Sequence, residues 1–329
     1  MRTGPRNLLT DVCGLTVGNA EDASMLTGVT AVVCDDMPTA AVQVLGGAPG
    51  TRETDMLRPE IPVRGVNAIV LSGGSAFGLE AASGVMEALS EDGRGLAVGP
   101  ALVPLVPSAI IFDLMVGDKP AAPGARYRAL GREAYGAASD DFALGSAGAG
   151  MGATTANLRG GLGSASTRLS SGHTVAALIV ANPIGQATIG ESGRFWAAPF
   201  EIGDEFGGLG MPFPLPADSA AIRHKLAARA LANTAIAVVA TDAVLTKPQA
   251  TRLALSGHTG VARAIWPSHT VADGDTVFAL ATGRMDAPHD TIELEACAAA
   301  CLSRATARAI FLAAPMPGHG PPAWCEVFG

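Results

Sequence analysis

Forty-one of the 329 residues are glycine. They gather in strings, Gly46-Gly47, Gly73-Gly74, Gly148 to Gly152 and Gly160 to Gly163, that separate short apolar runs. Only 5% of the residues are aromatic while 48% are hydrophobic, so the core has to be filled by small and aliphatic side chains. Glycine lets backbones approach where a Cβ would intervene, and such a composition points to closely stacked layers. Mean hydropathy is +0.32 and 16% of residues are charged, which excludes intrinsic disorder. The glycines and 22 prolines follow no fixed period, so a collagen-like chain is excluded too. The length permits one large domain or two ordinary ones.

Along the chain, Gly28 to Cys34, Thr39 to Leu45 and Asn67 to Ser72 read as short strands. After Gly73-Gly74, Leu79, Ala82, Val85, Met86 and Leu89 fall at helical spacing. Ala109 to Leu114 is a further strand candidate, Ala125 to Ala138 a second helix, and Val175 to Val180 a buried strand ending at Asn182-Pro183. Residues 201 to 217 form the best linker candidate, and Asp218 to Ala232 is expected as a short helix. An apolar strand begins at Thr234, Thr246 caps a helix through Ile265, Thr276 to Thr282 is another strand, and Glu293 to Ala314 a long helix. Strands and helices are grouped rather than strictly alternating, which favours an α+β layered architecture over a doubly wound sheet.

Net charge is −8, from 22 basic and 30 acidic residues, and no Lys/Arg run tracks a phosphate backbone, so nucleic acid is not an expected partner. The N-terminus lacks the apolar segment of a signal peptide and no stretch of 18 apolar residues occurs; a soluble, cytoplasmic protein with no membrane partner is expected. The five cysteines, Cys13, Cys34, Cys297, Cys301 and Cys325, contain no CxxC pair and read as reduced, buried thiols. The six histidines lack zinc-site spacing, and no metal is expected.

Several motifs fall short. Gly148-Ala-Gly150-Met-Gly152-Ala153 fits a loose G-x-G-x-x-A, yet it lacks the preceding strand, the following helix and the later acidic residue of a dinucleotide site. Ser72 to Gly78 misses the G-x-S-x-G elbow by one residue. A Ser-His-Asp triad is not decided by spacing, because triads assemble in space. Asn233-Thr234 with Asp273-Gly274-Asp275-Thr276 is more informative. Each dipeptide alone is an ordinary turn sequence. If the bond after Asn233 were cut, however, Thr234 would carry a hydroxyl beside an α-amine with a pKa of about 8, suited to act as its general base. Asp273 and Asp275 project to one side of an extended segment, and the loop ahead of Asn233 offers slack for such a cut.

At these residues the chain resembles the self-processing aminopeptidase family of the L-aminopeptidase/D-esterase, the β-peptidyl aminopeptidases and the 6-aminohexanoate-oligomer endo-hydrolases. The matching motifs run in order from Leu9-Thr-Asp-Val through Gly46 to Asp55, Gly73 to Glu80, Gly148 to Ala153, Gly160 to Ser166, Asn182-Pro183 and Asn233-Thr234 to Asp273-Gly-Asp-Thr276. The resemblance implies a four-layer α-β-β-α sandwich of the N-terminal-nucleophile-hydrolase kind, assembled as a homotetramer or similar oligomer. One domain would be cut between Asn233 and Thr234 into residues 1–233 and 234–329. It also implies that Thr234 is the nucleophile, on the threonine branch, that Asp273 and Asp275 assist it, and that Asn182 donates to the oxyanion. Ser75 and Phe77, in the Gly-Gly-Ser-x-x-Gly motif, are the expected substrate contacts, with Phe77 where some nylon-oligomer hydrolases carry tyrosine. A lysine of those enzymes aligns only loosely near Arg128. Lys247 follows the nucleophile strand and reads either as a neighbour of the site or as a solvated helix start.

The expected activity is hydrolysis of small amides, short peptides or ω-amino-acid oligomers, with no cofactor and a small-molecule or short-peptide substrate as partner. Its rivals are an acyltransferase or lyase on the same self-processing fold, and an uncleaved, non-enzymatic oligomer.

Overall fold

The computed structural model describes residues 1–225 and 233–329. Two five-stranded sheets lie face to face. The first contains β1 (Leu15–Asp22), β2 (Thr27–Cys34), β4 (Thr51–Arg52), β5 (Ala68–Ser72) and β8 (Ser108–Ile110), in the order β1-β2-β5-β8-β4. The second contains β3 (Thr39–Val44), β9 (Gly161–Arg168), β10 (Thr174–Asn182), β11 (Thr234–Ala243) and β12 (Thr276–Met285), in the order β3-β12-β11-β10-β9. Helices α1 (Glu80–Glu91) and α2 (Gly124–Gly136) cover the outer face of the first sheet, and α3 (Lys247–Ala264) and α4 (Thr291–Phe311) the outer face of the second. The chain also has a hairpin, β6 (Leu96–Val98) and β7 (Ala101–Val103), a C-terminal helix, α5 (Trp324–Phe328), and short 3-10 turns. The architecture is the expected α-β-β-α sandwich.

Strand periodicity builds these layers. In β11 the side chains of Ile236, Val238 and Ala240 enter the core between the sheets, while Ala235, Ala237 and Val239 pack against α3 and α4. Both faces are apolar because both are covered. Every residue of β11 is buried. A third cluster joins Val29, Ala31, Val33 and Val70 to Val85, Leu89 and Leu130 on α1 and α2. Among the described residues no helix is long and apolar enough to cross a membrane.

Three expectations are corrected. Residues 218–225 are turns and irregular chain rather than the start of a helix. There the Asp218 carboxylate takes the Arg223 guanidinium at 2.7 Å, and the Lys225 amide donates to the Ile184 carbonyl at 3.2 Å, so the segment follows the end of β10 instead of coiling. The rest of that expected helix, residues 226–232, lies outside the described residues. The linker is fastened rather than slack: Glu205 is buried against Arg304 of α4 at 2.5 Å and accepts from Asn7 at 2.7 Å. Burial alone would raise the Glu205 carboxyl, but Arg304 outweighs it and holds the group below its ordinary range. Finally, Cys34, Cys297 and Cys301 are buried, whereas Cys13 and Cys325 are exposed.

Candidate active site

The central strands of the second sheet converge on Thr234. Residue 182, the last of β10, lies opposite Thr234, the first of β11, in the antiparallel register. On the other side β12 runs parallel to β11, and Asn233 forms a bridge with Asp273 just before that strand begins. The sheet thus brings Asn182, Asn233, Thr234, Asp273 and Asp275 together from three chain segments, and each is at most 4% exposed.

The Asn233 carbonyl is held from two directions. The Thr234 hydroxyl lies 2.5 Å from its oxygen, and the Gly274 amide donates to the same oxygen at 2.8 Å. Gly274 is required here, because a Cβ at this position would stand 2.9 Å from Thr234 Oγ1 and 2.7 Å from the Ala48 carbonyl oxygen. Among the described residues the Asn233 side-chain Nδ2 is buried with no partner.

The two carboxylates do separate work. Asp275 Oδ1 accepts from the Ala235 amide at 2.7 Å, fixing the residue after Thr234. Its Oδ2 accepts from the His269 amide at 3.1 Å and ring Nδ1 at 2.6 Å. Asp273 Oδ1 accepts from the Ile184 amide at 3.1 Å, and its Oδ2 from the Thr270 amide at 2.8 Å and hydroxyl at 2.7 Å. Burial, and then the neighbouring Asp275 charge, push the Asp273 carboxyl above its ordinary range.

Asn182 Oδ1 accepts from the Thr154 amide at 3.0 Å and from Lys225 Nζ at 3.0 Å. With donors on that side, the oxygen is assigned and Nδ2 faces the other way, to the Phe112 carbonyl at 3.3 Å. The donor to the Asn233 carbonyl in the continuous chain is therefore the Gly274 amide rather than the Asn182 side chain. Lys225 Nζ also donates to the Thr154 and Asn182 carbonyls at 2.7 and 3.1 Å. Burial among these neutral acceptors, only partly offset by Asp273, pushes its amine down to about 7.

Thr234 and Asn233 open onto a cavity of about 210 Å³ whose walls include Ala48, Pro49, Ser75, Ile110 and Phe112. Ser75 holds a left-handed backbone, φ 52°, secured by its amide on the Ile111 carbonyl at 2.9 Å. Beneath that turn Asp113 accepts from the Gly74 amide at 2.8 Å and the Thr27 hydroxyl at 2.5 Å, with Lys119 Nζ 3.7 Å away. Phe77 is 42% exposed and is not among the residues lining the cavity.

Two weaker candidates lie apart. Arg128 pairs on the outer helical layer with Glu80 at 2.8 Å and Glu87 at 3.3 Å. Lys247 is neither beside Thr234 nor solvated: its ammonium is buried among the carbonyls of Met56, Arg58 and Ile61 at 2.9, 2.9 and 3.0 Å. Sequence reasoning missed His269, Gly274, Thr154 and Lys225. Only proximity in sequence to Asp273 and to Asn233 marked the first, second and last.

The profile of the family described as peptidase family S58 matches residues 7–321. An aminopeptidase of Mycobacterium leprae, described as uncharacterised, is 40% identical over all of this chain and 96% of its own length. A 6-aminohexanoate-oligomer endohydrolase of Kocuria is 30% identical over 87% of this chain and 78% of its own. Among solved structures, a Burkholderia β-aminopeptidase superposes with a TM-score of 0.71 at 24% identity, covering 99% of this chain and 93% of that one. The L-aminopeptidase D-Ala-esterase/amidase of Ochrobactrum anthropi, described as a variant of the Ntn-hydrolase fold, gives 0.67 at 22% identity, covering 96% and 89%.

Proposed function

The chain belongs to peptidase family S58, and from that membership we propose that it is an amide-bond hydrolase that cuts itself after Asn233 and then uses Thr234 as its N-terminal nucleophile. The observation that carries this reading is the Asn233 carbonyl, gripped between the Thr234 hydroxyl at 2.5 Å and the Gly274 amide at 2.8 Å. In the first reaction Thr234 Oγ1 adds to the Asn233 carbonyl carbon, and the Gly274 N–H stabilises the charge on the oxygen. The C–N bond breaks, the proton passes to the threonine nitrogen, and water hydrolyses the resulting ester to leave a carboxylate on Asn233 and a free amine on Thr234.

In the second reaction that α-amine, with an ordinary pKa of about 8, takes the Thr234 hydroxyl proton as the oxygen attacks the substrate amide. The Gly274 N–H stabilises the developing oxyanion, Asn182 stays tied through its side chain to Thr154, Lys225 and Phe112 beside it, the leaving amine departs protonated, and water resolves the acyl-enzyme. The cavity is about 210 Å³, with no charged side chain lining it among the described residues, smaller than the roughly 300–1,000 Å³ of drug-sized sites. That size favours single amino-acyl groups, from amino-acid amides and esters, short peptides or the end of an ω-amino-acid oligomer. Transfer of the acyl group to an added amine instead of water is the second reading, tested by adding an amine and following aminolysis. Assembly as a homotetramer remains part of the proposal and is read by light scattering.

The direct test is substitution of the hydroxyl. Thr234→Ala should remain one chain and be inactive on amino-acid amides, while Thr234→Ser keeps the oxygen and should both cut and hydrolyse. Activity retained by Thr234→Ala would move the nucleophile elsewhere.

A further inference from the structure

Behind Asp275 lies a pair of histidines, His269 and His258. His269 holds a left-handed backbone, φ 55°, a conformation that costs energy for a residue other than glycine and persists where the surroundings enforce it. Here it directs the His269 amide and ring Nδ1 onto the same oxygen of Asp275, at 3.1 and 2.6 Å. The opposite nitrogen, Nε2, faces the His258 carbonyl oxygen at 3.2 Å. Both ring nitrogens therefore face acceptors, and an imidazole meets two acceptors only when both nitrogens carry protons. The ring of His258, on α3, stands edge-on to it, with centroids 4.9 Å apart. His258 Nε2 lies 2.9 Å from the Gln43 carbonyl oxygen on β3, while its Nδ1 is buried with no partner among the described residues; one donor and one bare nitrogen describe a neutral ring. The charged groups facing His269 are thus Asp275 directly and Asp273 beyond it, with His258 as its titratable neighbour.

We propose that His269 is a positioning residue: as an imidazolium it holds the Asp275 carboxylate aimed at the Ala235 amide, and so fixes the start of β11 and the Thr234 hydroxyl at the mouth of the cavity. This rests on Thr234 being the nucleophile. The cation compensates one of two adjacent buried carboxylates. Burial opposes the charged ring, but Asp275 outweighs it and His269 titrates above its ordinary value. His258 is pushed the other way by burial, down to about 4. Environments that drive two like groups apart in this manner are a usual sign of divided roles.

The test has two arms. Imidazole nitrogen spectra of the uncut Thr234→Ala protein, with His269 assigned through its contact with the His258 ring, should show His269 doubly protonated well above pH 6.5 and His258 neutral. Adding Asp275→Asn should lower the His269 midpoint by about one pH unit or more. A His269 ring that is neutral at pH 6.5, or a midpoint unmoved by Asp275→Asn, overturns the proposal. This arm reads the pair whether or not Thr234 is the nucleophile. In the cut enzyme, His269→Gln should lower kcat by about tenfold or more with KM within about threefold, and shift the acid limb of the pH profile. A wild-type kcat and pH profile in that variant also overturns it.

Discussion

Gly274 is the residue whose side chain would do most harm. A methyl group there would stand 2.9 Å from Thr234 Oγ1 and 3.2 Å from its Cγ2, against the hydroxyl proposed to attack the Asn233 carbonyl. Its amide would also be moved from that carbonyl, removing an oxyanion donor worth about 2.7–4 kcal/mol where such donors have been deleted. Gly274→Ala should therefore fold, stay largely uncut, and lose about a hundredfold or more in processing rate, followed on gels over time. Wild-type processing in this variant would remove Gly274 from the oxyanion site. At this scale Thr234, Asp273, Asp275 and Asn182 were legible because their motifs stand in a recognisable order. His269 was not, since Ser268-His269-Thr270 carries no spacing signal and the ring gains meaning only when β12 sets Asp275 beside it. Lys225 was hidden for the same reason: nothing in the sequence shows that its ammonium ends against Asn182.

Among the elements, apolar strands and amphipathic helices were read within a few residues, because β11, α1, α3 and α4 carry strong periodicity. What escaped was made of small residues. β9, Gly-Leu-Gly-Ser-Ala-Ser-Thr-Arg, has a single β-branched residue, Thr167, where a typical strand has several, yet it is buried because α4 lies almost on its backbone; a Cβ on Gly163 would stand 1.9 Å from the Ala305 carbonyl oxygen. β1 was missed in the same way, with Gly18 pressed against Ala134 of α2. Lys247 shows the reverse error, since a lysine at a helix start reads as solvated until the loop at residues 56–61 is seen to wrap its ammonium. Replacing it by methionine should leave three carbonyls without their donor and cost about 1–3 kcal/mol. Urea unfolding of Thr234→Ala with and without Lys247→Met measures this, and equal midpoints would mean that the ammonium does not hold the loop.

Seen whole, the proposed cut does not divide the sandwich between layers. Residues 234–329 supply β11 and β12 to the middle of the second sheet, where β10 and β3 from the larger piece flank them, and α3 and α4 to its cover. The glycines that narrowed the fold at the outset allow this: they bring helices onto sheets and would leave the proposed break inside a buried ladder, so the pieces should co-elute under native conditions. The decisive measurement is intact mass under denaturing conditions on freshly purified wild-type protein. Cutting after Asn233 gives two species, the smaller comprising residues 234–329, roughly 10 kDa at the mean residue mass of this 33.0 kDa chain, with threonine at its N-terminus. A single uncut chain that nonetheless hydrolyses amino-acid amides would contradict the mechanism.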